Sequence, residues 1–268
     1  MAVSSPTTEQ VEAFRRDGAV YLPGFLAPEL VERLAAGVER DLAEPGPLAI
    51  TMEPADGSGR FVEDFCRWSE IPEYREVVET SGMGAAAAEL MGSGEVRLFH
   101  DHMLVKEAGS SIRTPWHQDQ PFYCIDGSKT ISFWIPLDPV SRPAAVEFVA
   151  GTHSGKWFMP RSFLAGSALV FDEGTLEEVP DVEADRDAFP ILGWEMQPGD
   201  AVAFNMLTLH AAGPADRRRR AVSFRLIGED VTYGPRPHRT SPPFPGLEDE
   251  LEAGEPMALD RLFPVLYP

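Results

Sequence analysis

The chain has 268 residues, 43% of them hydrophobic, which suffices for one substantial buried core and fits a globular protein. Its formal net charge of -20 is a poor match for nucleic acid or an anionic membrane surface, both of which attract basic patches. The apolar runs are too short to cross a bilayer, Met1-Ala2-Val3-Ser4-Ser5 is not the basic start of a secretory leader, and two cysteines (Cys66 and Cys124) make no disulfide framework, so a cytoplasmic setting is expected.

Residues 1–6 read as a frayed terminus. Thr7-Thr8-Glu9-Gln10 resembles a capping box, opening a helix that Gly18 ends. Residues 19–22 suit a short strand, and Pro28 suits the first turn of a second helix carrying Leu30, Leu34, Val38 and Leu42 at helical spacing. Residues 44–60 read as a loop, and 71–79 and 84–91 as two more helices. From residue 95 the pattern turns to strands: 95–106, 129–137, 145–149, 168–171, 193–196, 201–204 and 221–227, separated by Pro, Gly and Asp turns. In the second of these, Thr130, Ser132 and Trp134 share one face, and Ile131, Phe133 and Ile135 the other. The acidic stretch 172–192 reads as a surface loop. Residues 234–268 read as a Pro-rich extended tail packed on the body. The expected fold is mainly β with flanking helices: a single domain over 1–268, with a helical layer at about 7–92 and a sandwich or barrel of antiparallel strands at about 95–230.

Chemistry concentrates around Trp116-His117-Gln118-Asp119-Gln120. On an extended strand, residues two apart point the same way, so His117 and Asp119 can face one interior point as two ligands of a metal. A His-x-Asp pair arises often by chance, so the reading depends on a third ligand. His210, closing the segment launched by Pro198-Gly199-Asp200, is the best candidate, and an ordinary half-buried histidine is the competing reading. His153 reads as a turn residue and His238 as an exposed loop residue. Further on, Arg219, Ala221, Ser223 and Arg225 share one strand face, with Val222, Phe224 and Leu226 on the other. Small residues between two arginines make a pocket with a cationic floor, and a guanidinium binds a carboxylate through two parallel hydrogen bonds. A dicarboxylate cosubstrate needs such a floor. The apolar face is expected to pack under the N-terminal helices.

Two histidines and one carboxylate form the ligand set of non-haem Fe(II) oxygenases. The ordered series Trp116–Tyr123, Trp134-Ile135-Pro136-Leu137-Asp138, Val146–His153, Pro198-Gly199-Asp200 with His210, and Arg219-Arg220-Ala221 resembles the phytanoyl-CoA dioxygenase family, from about Thr8 through the tail. The resemblance implies a double-stranded β-helix (jelly roll, cupin-like barrel) and an Fe(II)/2-oxoglutarate-dependent dioxygenase. It implies iron ligands at His117, Asp119 and His210, and a partner for the distal carboxylate of 2-oxoglutarate at Arg219, with Arg218 and Arg220 as competitors. The spacing from His210 to Arg219 is shorter than the family's, which implies a trimmed loop. Trp134 and Ser132 are expected along the 2-oxoglutarate pocket. His102 and Lys106, which share a face with His100 and Leu104, are expected near cosubstrate or substrate, with a surface lysine the competing reading of Lys106. Phe122, Tyr123 and Arg225 are expected to wall the substrate pocket.

The implied reaction consumes O2, converts 2-oxoglutarate to succinate and CO2, and hydroxylates an unactivated C–H bond of a small metabolite. Asp119 argues against halogenation, because related halogenases carry a small residue there. Desaturation, epoxidation and ring formation stay open, as does a monomer or a homodimer. Two readings of other classes also remain: a cupin-like binding protein without catalysis, and a metal-dependent isomerase or hydrolase on the same barrel. A cationic pocket floor at Arg219 favours the oxygenase over both.

Overall fold

A computed structural model of the chain describes residues 3, 5–54, 57–160 and 176–268. In chain order the elements are α1 (Thr8–Asp17), β1 (Ala19–Leu22), α2 (Pro28–Ala43), β2 (Ile50–Met52), β3 (Phe61–Phe65), α3 (Pro72–Thr80), α4 (Met83–Met91), β4 (Val96–Lys106) and β5 (Thr114–His117). There follow β6 (Ile125–Asp126), β7 (Thr130–Pro136), β8 (Val146–Val149), β9 (Ile191–Leu192), β10 (Ala201–Phe204), β11 (His210–Ala212), β12 (Arg219–Gly228), β13 (Thr232–Tyr233) and β14 (Val265–Tyr267). The protein is mainly β, and every α-helix among the described residues lies before β4.

The helix ends follow their sequence signals. The Thr7 hydroxyl accepts from the Gln10 N–H while the Gln10 side chain accepts from the Thr7 N–H, and Gly18 closes α1 in the left-handed region at φ 77. Pro28 opens α2, whose Leu30, Leu34 and Val38 form a buried stripe. All paired strands are antiparallel. The larger sheet runs β1-β10-β7-β12-β4-β3-β2, with β14 added on β4, and the smaller runs β5-β11-β8-β9.

Alternation along the larger sheet sorts its two faces. Val222, Phe224 and Leu226 of β12, with Ile131, Phe133 and Ile135 of β7, pack against Leu34, Val38, Val77 and Leu90 of the helices. The opposite face carries Trp134, Phe204 and Ala221, which meet Val146 and Phe148 of the smaller sheet. The tail closes one end: Met257 and Phe263 are buried against Phe99, and β14 pairs with the start of β4. No helix among the described residues is long and apolar enough to cross a membrane.

Three expectations meet a correction or a limit, and one strand was not expected at all. Residues 50–52 form a strand inside the expected loop; three residues are too few to show alternation. Phe61–Phe65 is a strand although it buries Glu63 and Asp64, which masks its apolar pattern. Residues 193–196 are not a strand: Met196 makes an isolated bridge to Val140, and the ladder with β8 uses Ile191–Leu192, inside the expected acidic loop. The strand expected at 168–171 lies outside the described residues.

Candidate active site

β5 and β11 pair in a register that sets His117 opposite His210, with ring centroids 4.1 Å apart. The strand ends at His117. Asp119 takes helical angles (φ -73, ψ -48) and opens a 3-10 turn with Pro121 near its start. The carboxylate therefore reaches the histidines through a turn rather than through strand alternation, correcting the sequence argument. That turn is held from across the site, because the N–H groups of Asp119 and Gln120 donate to the Met206 carbonyl at 2.9 and 3.0 Å. The Gln118 side chain ties the neighbouring loops together, donating to the carbonyls of Leu207 (2.7 Å) and Lys156 (3.0 Å) and accepting from the Phe158 N–H (2.8 Å).

One nitrogen or oxygen from each of His117, Asp119 and His210 falls within 4.8 Å of the others, and all three residues are buried. Asp119 Oδ1 lies 3.4 Å from His117 Nε2 and 3.7 Å from His210 Nε2. Each histidine turns Nδ1 to the carbonyl two residues earlier, Pro115 for His117 and Thr208 for His210, both at 2.9 Å. A carbonyl only accepts, so Nδ1 carries the proton and Nε2 offers its lone pair inward. Burial, then the neighbouring imidazole of His117, pulls His210 down to about 3, keeping it neutral. Burial pushes Asp119 up, but the Arg225 guanidinium outweighs that and holds its carboxyl well below the usual range. Two lone pairs and an ionised carboxylate on one side of a point can hold a divalent transition metal, leaving the far positions open.

A cavity of about 580 Å³ runs past these residues, and Arg219 lines it. Arg219 is 6% exposed, its guanidinium lies over the Trp134 ring at 5.7 Å from the centroid, and one amine donates to the Ala144 carbonyl. Among the described residues no carboxylate pairs with it, and burial alone pulls its pKa down to about 10. Its neighbours differ. Arg218 pairs with Glu39 and Glu107, and Arg220 with Asp138 and Glu39. A buried cation facing a cavity without a counter-charge is incomplete until an anion arrives. That site, with the tautomers of the two histidines, fits a metal and a dicarboxylate together.

Trp134, Phe122, Tyr123, His102 and Arg225 line the cavity. Two others expected there do not. Ser132 sits behind the wall, hydrogen-bonded at 2.8 Å to Ser223, which takes the lining position. Lys106 turns away and donates to the carbonyls of Ile112 (2.7 Å) and Gly213 (3.0 Å), with its ammonium 5.1 Å from the Phe61 centroid. Burial, then the charge of Arg219, pulls it down to about 7. Its role is to tie two loops to β4, which its place on a charged strand face did not reveal.

Glu63 and Phe65 of β3 and the rim segments 47–50 and 239–243 also line the cavity and were not expected there. The signal available for the first two was the period-two series Phe61, Glu63, Phe65, with a glutamate between aromatics.

Residues 14–221 match the sequence profile of phytanoyl-CoA dioxygenase (PhyH). The chain belongs to the phytanoyl-CoA dioxygenase family. L-proline trans-4-hydroxylase of Streptomyces griseoviridis is 25% identical over 276 residues, covering 98% of this chain and 100% of that protein. Multifunctional dioxygenase prhA of Penicillium brasilianum is 23% identical over 242 residues, covering 82% of this chain and 71% of that protein. The epimerase SnoN, solved with Fe3+, alpha ketoglutarate (2-oxoglutarate) and nogalamycin RO, shares the fold at TM-score 0.74 and 22% identity, covering 96% of this chain and 97% of that one. As a phytanoyl-CoA dioxygenase family member the chain is an oxygenase enzyme, and its cofactors are iron, 2-oxoglutarate and O2.

Proposed function

We propose that this oxygenase hydroxylates an unactivated C–H bond of a small-molecule metabolite and releases succinate and CO2. In this reading His117, Asp119 and His210 hold Fe(II), and Arg219 with Trp134 holds the distal carboxylate of 2-oxoglutarate. The chain is then one domain, and its two sheets are the walls of a double-stranded β-helix with the helices layered outside. The observation that carries the reading is Arg219: a buried guanidinium with no carboxylate partner among the described residues, beside three residues that can hold a metal. The relative named L-proline trans-4-hydroxylase, aligned along nearly the whole chain, favours hydroxylation.

Iron and 2-oxoglutarate together supply the oxidising power for the C–H bond. The protein's own part is positional. The Nδ1 hydrogen bonds hold both imidazoles in one tautomer, and Arg225 holds the Asp119 carboxylate. The guanidinium and indole of Arg219 and Trp134 orient the diacid, and apolar residues such as Ile50, Met52 and Phe122 exclude water. The test is an anaerobic titration of 2-oxoglutarate into the Fe(II) protein, with succinate measured after O2 is admitted. A visible charge-transfer band followed by O2-dependent succinate is expected. No band, or succinate formation at the wild-type rate in Arg219→Ala, would remove the reading.

A further inference from the structure

One wall of the cavity holds a buried acid–base pair that the cofactor scheme does not use. β3 lies against β4, with Phe65 opposite His102 and Glu63 opposite Leu104. Glu63 and His102 are each 7% exposed, both line the cavity, and His102 Nε2 donates to Glu63 Oε1 at 3.0 Å. The Phe65 ring stacks on the imidazole at 4.0 Å between centroids and 21° between planes, fixing its orientation.

We propose that Glu63 and His102 anchor the primary substrate, and that this substrate offers them a hydrogen-bond donor, an amine or a hydroxyl, from a largely apolar skeleton. The proposal rests on the oxygenase reading above and names the substrate class for that site.

A carboxylate accepts, so Nε2 of His102 carries the ring proton toward Glu63. Burial lowers the pKa of His102 against the pull of Glu63, which leaves the ring neutral. Nδ1 is then a bare lone pair, buried and without a hydrogen-bond partner among the described residues. His102 is also the one hydrogen-bonding partner of the Glu63 carboxylate among those residues. The Glu63 carboxylate on the cavity wall, with His102 as its one partner, recognises a donor, and its negative charge disfavours an anionic handle; His102 orients it. Arg225, whose charge reaches His102, is held by Asp119. Around the pair the wall is apolar, with Leu48, Ile50, Met52 and Phe122.

The register separates this anchor from the cosubstrate floor. On β12, Ser223 lies opposite His102, four residues from Arg219 (about 13 Å of strand) and two from Arg225, the residue that holds Asp119. The pair thus serves the end of the cavity near His117, Asp119 and His210, where a bond under attack must lie.

The experiment uses three probes that share a ring and differ in the handle: cyclohexylmethylamine, cyclohexylmethanol and cyclohexanecarboxylate. Binding to the full-length protein is followed by ligand-observed NMR, in wild type and in the isosteric variant Glu63→Gln. The amine or the alcohol is expected to bind wild type about tenfold or more tighter than the carboxylate, with the preference lost in Glu63→Gln. Loss confined to the amine assigns an ammonium handle, and equal loss for both neutral and cationic probes assigns a hydroxyl. Equal binding of all three, no binding of any up to millimolar concentration, or an unchanged preference in Glu63→Gln overturns the proposal. The 2-oxoglutarate titration is repeated on Glu63→Gln, which is expected to keep its visible band. A band lost only in the variant would make Glu63 a cosubstrate residue and overturn the anchor. A band absent from wild type would defeat the cosubstrate reading, while the probe preference still judges the anchor.

Discussion

Arg225 grips Asp119 by a single oxygen: Nε and Nη2 both lie 3.1 Å from Oδ2. Oδ1 is left to face the two histidines. The guanidinium therefore does two things for a metal: it keeps the carboxylate ionised and it fixes which oxygen points inward. Replacing it by Arg225→Gln is expected to weaken Fe(II) binding about 10- to 100-fold. Competition against a chelator under nitrogen measures this, and Arg225→Lys, which keeps the charge but not the two-point grip, should fall between. Unchanged affinity in Arg225→Gln would show that Asp119 holds its orientation unaided.

Arg219 gives the opposite kind of prediction. Its buried charge has no carboxylate partner among the described residues, so Arg219→Met should raise the stability of the ligand-free protein by ~1–2 kcal/mol, seen as a higher melting temperature. The same change should weaken 2-oxoglutarate binding by about 100-fold or more and abolish the thermal shift that 2-oxoglutarate produces in wild type. A variant that is more stable yet binds 2-oxoglutarate normally would contradict the assignment.

Arg220 is adjacent in sequence and serves as the control. Its guanidinium is committed to Asp138, at 2.7 and 3.0 Å, and to Glu39. Arg220→Ala should leave 2-oxoglutarate affinity within about twofold of wild type and cost ~1 kcal/mol in a urea unfolding curve. A large rise in the 2-oxoglutarate KM would move the anchor from Arg219 to Arg220.

Acid should weaken the metal-free protein through His210. Folded, its pKa is pulled down to about 3, while an unfolded histidine titrates near 6.5. Between those values the unfolded chain binds the extra proton. The contribution to stability is therefore full above about pH 6.5 and is lost as pH falls toward 3, by a few kcal/mol in total (~3–5). Urea midpoints at about pH 7.5 and about pH 5 should fall more steeply for wild type than for His210→Gln. Parallel slopes would show that His210 is not held neutral by burial.

What could be read from the chain beforehand followed the strength of each chemical signal. His117, Asp119 and His210 stood out because a His-x-Asp pair, weak alone, gained a third candidate ligand and the ordered motifs of the family resemblance around it. Arg219 stood out because alternation set it beside small residues, away from Val222 and Phe224. Glu63 did not, because Phe-Val-Glu-Asp-Phe places two acids in a five-residue strand and resembles a solvated edge until Asp64 is seen donating nothing and accepting from the Gly46 N–H inside the body. Ser132 and Lys106 had the right parity but the wrong depth: pattern tells which face a residue is on, not whether Ser223 stands in front of it or a loop carbonyl captures its amine. The turn at Asp119 was hidden for a similar reason, since Pro121 shapes the backbone just after the motif.

On the proposed metal assignment, the paired Nδ1 contacts of His117 and His210 bear on how iron would be taken up. Both rings are aimed by backbone oxygens that belong to the fold, so their direction is set before any ion arrives. Loading is then a docking event into a finished socket, and stripping the ion returns the same socket rather than an unfolded chain. An ion of similar size entering such a socket first would be a rival for the seat, not a mistake in folding.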